Sequence, residues 1–283
     1  MKVLPFQIPK PLHENLIVQE DRVPTFYGQL HQHKELQLSL IVKGKGKLIV
    51  GDSVHPFEDG DFFAIPPHSP HLFSNDPSPQ GVHMISLFFT EKTFGKGFFE
   101  LPVLEEVYPF FNMALEGFRL TGNKKVIAAL MLRILKSEKL ERLMNFLLLL
   151  KKVVPSEKQA LTQFLYPKEI TIREGKRMQL IFDYTIKNFQ HDITLQEAAG
   201  LVHMTPNAFC RYFKQRTNKT YFQFLIELRI EHACQLLVKD EEELSVLEIS
   251  ERSGFSSISN FNRQFRKLKG MVPSKYTNQY AFK

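Results

Sequence analysis

The sequence predicts an α+β protein of more than one domain. A small antiparallel β-barrel stands at the front, helices trail from it, and an all-α pair of helix-turn-helix units closes the chain. Three observations predict this. Short apolar runs are cut by Gly and Pro up to about residue 90. After residue 91 those breakers thin out and Leu, Lys and Glu rise. The last third carries one helical pattern twice. A chain of 283 residues has room for two ordinary domains.

In the front part, residues 36–42 alternate and then become wholly apolar, and Lys43-Gly44-Lys45-Gly46 breaks the run. Residues 47–50 form the next run, closed by a Gly51-Asp52 turn. Gly60-Asp61 opens 62–65, which Pro66-Pro67 ends, and 82–89 is a further apolar strand. Short strands at this spacing indicate a small barrel or sandwich. Histidine is concentrated here: His13, His31, His33, His55, His68, His71 and His83 are seven of the ten in the chain.

Residues 124–135 and 137–153 carry apolar side chains at helical spacing. In the second run Leu140, Leu143, Met144, Leu147 and Leu148 fall near i, i+3, i+4, i+7 and i+8. Pro155 stops it. This helix either packs on the barrel or forms a dimer seam, and pairing of subunits is the reading favoured. The domains expected are a barrel at 1–95, a helical extension at 96–165, a linker at 166–175 and a helical domain at 176–283, with helix-turn-helix units near 194–216 and 245–268.

The repeat in the last third is detailed. Thr194-x-x-Glu197 and Ser245-x-x-Glu248 are capping-box signatures. Each precedes a short apolar helix, a tight turn and a longer helix. The first longer helix opens with Thr205 as N-cap and Pro206 behind it. The longer helices read Phe209-x-Arg211-x-Phe213-Lys214 and Phe261-x-Arg263-x-Phe265-Arg266. Phe side chains four apart share a face, and an Arg two residues past the first Phe points roughly 200° away from it. Asn207 and Ser259 join that outward face. A guanidinium suits guanine O6 and N7, and an Asn amide suits adenine. Lys214, Arg216, Arg266, Lys267 and Lys269 suit phosphates, which fix register without reading sequence.

Charge agrees. From residue 176 onward there are 16 Lys and Arg against 11 Asp and Glu. Residues 198–226 and 252–283 hold no acid, and the acids gather between them at Asp240-Glu241-Glu242-Glu243. Two basic segments about an acidic connector point to two contacts with a polyanion.

These residues resemble the AraC/XylS family of transcription regulators, from about 176 to 280. The second half carries the similarity most fully: residues 244–250, Gly254-Phe255-Ser256-Ser257, Phe261-x-Arg263-x-Phe265-Arg266 and Gly270-x-x-Pro273-Ser274-x-Tyr276. The resemblance implies two helix-turn-helix units joined by a long helix at about 221–239, reading adjacent major-groove segments of double-stranded DNA. By position it implies base contacts from Asn207, Cys210 and Arg211, then from Ser259, Asn262 and Arg263. Cys210 departs from the pattern, because a thiol is a poor base reader. Asn218 stands where the second repeat has Gly270, and Asn tolerates a left-handed cap.

Residues 25–90 resemble a cupin barrel. Gly28-x-x-His31-x-His33-x-x-x-Gln37 and Pro66-x-His68-x-x-His71-x-x-x-Asn75 carry the likeness. In metal-binding cupins the matching positions are two His, a Glu and a third His, which here are His31, His33, Gln37 and His71. Glutamine replaces the acid. Strand alternation would put Glu35 on the same face as His31, His33 and Gln37. The expectation is a pocket for a small polar effector, such as a carbohydrate, lined by Tyr27, His31, His33, Gln37, His71 and Phe73. No metal and no cofactor are expected. The alternative is a metal-binding cupin enzyme or metal sensor fused to a DNA-binding domain.

The function expected is sequence-specific transcription regulation without catalysis, by a homodimeric activator that works with RNA polymerase, the last two by family analogy. The densest apolar run, 146–150, ends at Lys151-Lys152, far short of the roughly 18 residues a membrane span needs. The first residues lack the apolar stretch of a secretory signal. Cys210 and Cys234 fit neither a disulfide framework nor a zinc motif, so a reducing cytoplasm is the expected setting.

Overall fold

The computed structural model describes residues 16–26, 28, 30–75, 81–162, 172–238 and 244–280. Two compact units emerge, one built mainly from residues before 176 and the other mainly from residues 176 on.

The first unit is strand-rich. Its strands are β1 (Ile17–Val23), β2 (Leu36–Lys43), β3 (Gly46–Val50), β4 (Ser53–Phe57), β5 (Phe62–Ile65), β6 (His71–Ser74) and β7 (Val82–Phe89). One sheet runs β1-β7-β2-β5 and continues into two later strands; the other runs β4-β3-β6. β2 explains its own sequence. Side chains alternate between faces along a strand, and both faces are covered. Leu36, Leu38 and Leu40 pack outward with Phe62, Ala64, Ile85, Leu87 and Phe89. Ile41 packs inward with Leu48, Val50, Phe57, Phe63, Ile65 and Phe73. Gln37 and Ser39 share this inward face and are the polar exceptions along it.

Helices α1 (Pro109–Ala114), α2 (Lys124–Lys136) and α3 (Lys139–Val153) close the outer face. Ile127, Leu130, Met131 and Ile134 of α2 and Phe146, Leu149, Leu150 and Val153 of α3 complete the same core. The expected boundary at residue 95 is not a boundary in this sheet. β8 (Phe118–Leu120) pairs with β5, and β9 (Lys158–Ala160) pairs with β8. The extension therefore shares the barrel's sheet as well as its core. A buried carboxylate pins it: Asp61 accepts from Arg119 of β8 at 2.6 Å and from Lys124 of α2 at 2.8 Å. Two cations on one desolvated carboxylate leave that charge paired.

The second unit is helical throughout: α4 (Ile172–Asn188), α5 (Leu195–Gly200), α6 (Pro206–Thr217), α7 (Tyr221–Val238), α8 (Val246–Arg252), α9 (Ile258–Lys269) and α10 (Pro273–Tyr280). The linker expected at 166–175 is cut short at its far end, because α4 begins at Ile172; the stretch before it lies outside the described residues. So does the acidic connector at 240–243. Among the described residues no helix is long and apolar enough to cross a membrane.

Candidate functional site

The helical unit builds one face twice. α5 and α8 both open on complete capping boxes: Thr194 with Glu197, and Ser245 with Glu248, each satisfy the partner's backbone N–H. The longer helices α6 and α9 are capped by Thr205 and Ser257 through the N–H groups of Ala208 and Asn260. Both end on a left-handed residue, Asn218 at φ 55° and Gly270 at φ 72°. Asn does at the first cap what Gly does at the second.

The tight turns differ in a way the sequence did not display. Each holds one left-handed residue, His203 at φ 55° in the first and Gly254 at φ 83° in the second. A Cβ on Gly254 would lie 2.5 Å from the Phe189 carbonyl oxygen, so this turn requires glycine. The turn bonds Met204 N–H to Ala199 and Phe255 N–H to Ser250 are offset by 51 residues, while the N-caps Thr205 and Ser257 are offset by 52. The second turn thus carries one more residue than the first.

Phe209, Phe213, Phe261 and Phe265 are fully buried and anchor α6 and α9. Phe209 and Phe213 meet Tyr221 at 5.3 and 5.4 Å, and Phe265 meets Tyr276 at 5.5 Å. With that face fixed, Asn207, Arg211 and Lys214 are exposed on α6, and Ser259, Asn262, Arg263, Arg266 and Lys267 are exposed on α9. Cys210 is half-buried. Asn262, Arg263, Arg266 and Lys267 line one shallow surface depression. Arg263 is steadied by donating to the Asn260 side-chain oxygen at 2.9 Å. Arg216 is half-buried, with its guanidinium 5.4 Å from the centre of the Tyr212 ring. Lys269 needs correction as a free phosphate ligand: its ammonium pairs with Glu231 of α7, which turns it toward its own unit.

The barrel gathers a different set. The chain at His31 lies beside β6 through a backbone bridge: His31 N–H donates to the His71 carbonyl at 3.1 Å, and His71 N–H returns the bond at 2.9 Å. His68 N–H donates to the His33 carbonyl at 2.8 Å. These bonds bring the three rings together, with centroids 4.3 Å apart for His31 and His71 and 5.0 Å for His33 and His71. One ring nitrogen from each lies within 4.8 Å of the others, which makes His31, His33 and His71 the set among the described residues that could hold a metal ion. His33 and His71 are buried and His31 is half-buried. Burial pushes the pKa of His33 down and that of His71 well down from the usual imidazole value.

Gln37 sits among these rings. Its Oε1 position is 3.1 Å from His33 Nε2 and 3.0 Å from His71 Nε2, and its Nε2 position is 2.8 Å from Ser39 Oγ and 3.3 Å from Ser86 Oγ. The other side of each ring is held by main chain: Nδ1 of His33 and His71 each lie 2.8 Å from a carbonyl oxygen, of Glu35 and Ser69 respectively.

Simple alternation along a strand is not how these residues meet. β2 begins only at Leu36, after a bend at Lys34 and Glu35, and the Glu35 main-chain oxygen lies against the His33 ring while its carboxylate acts on that ring through charge. Phe73 also needs correction as a pocket wall. Its ring is spent in the core against Phe26, Phe57 and Phe63. The ring against the cluster is Phe88, 5.3 Å from His33. Tyr27 lies outside the described residues. Ser39, Ser86 and Phe88 were not anticipated, because only the β2–β7 register, with Ser39 opposite Ser86, brings them in.

Comparison with known proteins follows this division. Residues 182–279 match the family model described as a helix-turn-helix domain, and residues 22–88 match the model of the cupin domain. The chain is 24% identical over 251 residues to the probable transcriptional regulator LumQ of Photobacterium leiognathi, covering 87% of this chain and 90% of LumQ. It is 35% identical over 86 residues to the HTH-type transcriptional regulator YobQ of Bacillus subtilis, covering 30% of this chain and 35% of YobQ. The DNA-binding domain of the global transcriptional factor AdpA, solved with a target DNA, is 26% identical with a TM-score of 0.33, over 35% of this chain and 88% of that domain. The chain is a DNA-binding transcription regulator. Its cupin domain precedes a helix-turn-helix domain in which the capped short helix, turn and longer helix occur twice.

Proposed function

We propose that this regulator reads DNA through α6 and α9 and answers to a small polar effector in its cupin domain. The supporting observation is the repeated face: the same Phe pair is buried in both helices and the same outward positions are exposed. In this reading Asn207, Cys210 and Arg211 meet base edges in one major-groove segment. Ser259, Asn262 and Arg263 do so in the next. Lys214, Arg216, Arg266 and Lys267 hold phosphates. The effector is a hydroxyl-rich molecule such as a carbohydrate, for which imidazole and amide groups of His31, His33, Gln37 and His71 would exchange hydrogen bonds they now make within the cluster, as donors and acceptors. It acts only as far as it binds two arrangements of the protein unequally. The protein works without catalysis, as a cytoplasmic homodimeric activator that engages RNA polymerase.

The test is selection of duplexes from a random library by the full chain, followed by anisotropy titrations at several salt concentrations. The expected outcome is an enriched site with two elements spaced about one helical turn apart, 10–10.5 bp, and a steep loss of affinity with salt. Unselective binding would overturn the reading. A thermal-shift series with sugars and sugar acids tests the effector, and a hit whose shift survives both His33→Ala and Gln37→Ala would place it elsewhere.

A further inference from the structure

We propose that the Gln37 carboxamide takes the place a cation would occupy in this cluster, its NH2 donating one hydrogen to Nε2 of His33 and the other to Nε2 of His71, so that Gln37 is the residue that keeps the barrel metal-free. The inference concerns the cluster assigned above to the effector, and its test needs no effector.

Hydrogen accounting carries it. A neutral imidazole has one N–H. In both rings Nδ1 lies 2.8 Å from a carbonyl oxygen, which can only accept. The hydrogen is therefore on Nδ1, and each Nε2 presents a lone pair to Gln37 at 3.1 and 3.0 Å. An amide oxygen turned toward them would set three acceptors face to face with no hydrogen between. The two ends of a carboxamide have nearly the same shape, so the bonding network decides which is which. With the NH2 toward the rings, its two hydrogens meet two lone pairs. The oxygen then faces Ser39 Oγ at 2.8 Å and Ser86 Oγ at 3.3 Å. Ser39 donates to it, and Ser86 donates to Ser39, 2.9 Å away, or to the amide oxygen. Each group then has a partner of the right kind. The other arrangement that satisfies an inward oxygen makes both rings imidazolium, with centroids 5.0 Å apart and His71 fully buried. Mutual repulsion and desolvation oppose that.

The donor set follows. A cation needs the same Nε2 lone pairs that Gln37 already engages. It would have to break two N–H···N bonds and would find, among the described residues, only the three imidazoles as a ligand set, with a neutral amide at 37 where the matching position of metal-binding cupins supplies a carboxylate. Imidazoles whose Nδ1–H groups rest on main-chain carbonyls are otherwise aimed as metal ligands are, so the residue at 37 decides the outcome. Gln37→Glu supplies the missing anion and removes the two hydrogens.

The full chain, stripped of metal, is titrated with Co(II) and followed by its visible absorption, with zinc as competitor. The wild type is expected to show no stoichiometric band. Gln37→Glu is expected to take up one equivalent at least about a hundredfold more tightly, the upper end of what a change around a metal's ligands carries. Adding His71→Ala to it is expected to abolish the gain. One equivalent bound by the wild type and lost in His71→Ala overturns the proposal, as does a folded Gln37→Glu that gains nothing. Should Gln37→Glu not fold, long-range proton–nitrogen correlation on the labelled wild type decides. Nδ1–H tautomers at His33 and His71 support the proposal, and Nε2–H on either ring overturns it. An effector that fails to bind leaves each of these results standing.

Discussion

Arg211 and Arg263 are the residues on which the DNA reading turns. Each is held outward by the buried Phe on either side of it, and neither is spent on a carboxylate in the ion pairs of the described residues. At a selected site Arg211→Ala and Arg263→Ala are each expected to cost about 1–3 kcal/mol and to relax base preference locally. Lys214→Ala is expected to weaken all sequences alike and to lower the salt slope by about one. Anisotropy against matched and single-base-changed duplexes separates the two behaviours; equal losses on all duplexes for the Arg variants would remove them from the reading face. Lys269→Ala behaves differently, since it unpairs Glu231. Its first effect is on stability. That distinction was not legible in the sequence, where Lys267 and Lys269 look alike on a basic helix. Their separation depends on α7 lying behind Lys269 and not behind Lys267.

At the scale of elements, the parts set by near neighbours in sequence were legible and the parts set by distant register were not. Capping boxes, the Pro206 helix start and the Phe i, i+4 pairs all span a few residues, and each stands as the sequence indicates. β8 and β9 are three residues each, too short for a period to declare itself, and they exist because β5 has a free edge for β8 to join. The Gln37 surroundings depend on Ser86, 49 residues away. The caps also make a prediction with a sign. Hydrogen bonds from the Ser245 side chain and then its backbone N–H lower the Glu248 pKa from its usual 4.5, and the Thr194 backbone and then its side chain do the same for Glu197. A carboxylate whose folded pKa is depressed stabilises the fold above its unfolded pKa. That contribution is lost as pH falls from about 4.5 through the folded value. Gln also serves in a capping box, so Glu248→Gln should flatten this acid limb while leaving the melting temperature near neutrality little changed. Ser245→Ala, by contrast, removes the cap at every pH and should cost about 0.5–2 kcal/mol. Melting curves between pH 3 and 7 distinguish these outcomes; an acid limb unchanged in Glu248→Gln would show that the box does not titrate with folding.

For the whole molecule the open question is what α3 presents outward. Phe146, Leu149, Leu150 and Val153 bury one face of it in the barrel core. On the other, Leu140, Met144 and Leu148 are 67%, 55% and 39% exposed, one helical turn apart. An apolar row spaced i, i+4, i+8 is a seam that a second helix can cover. It is too short for a free coiled coil, so the covering helix must come from another folded unit, as in the homodimer proposed above. Two DNA-binding units held together gain from effective concentration at paired sites without any new base contact. A charge at the centre of the row should therefore separate assembly from recognition. Met144→Glu places a carboxylate where it stays hydrated in the monomer and is buried in a dimer. Sedimentation at micromolar concentration is expected to show a dimer for the wild type and a monomer for Met144→Glu. Affinity for a duplex bearing one site should be the same for both, and the advantage on a duplex bearing two sites should disappear in the variant. A wild type that sediments as a monomer, or a variant that keeps the two-site advantage, would remove α3 as the dimer seam.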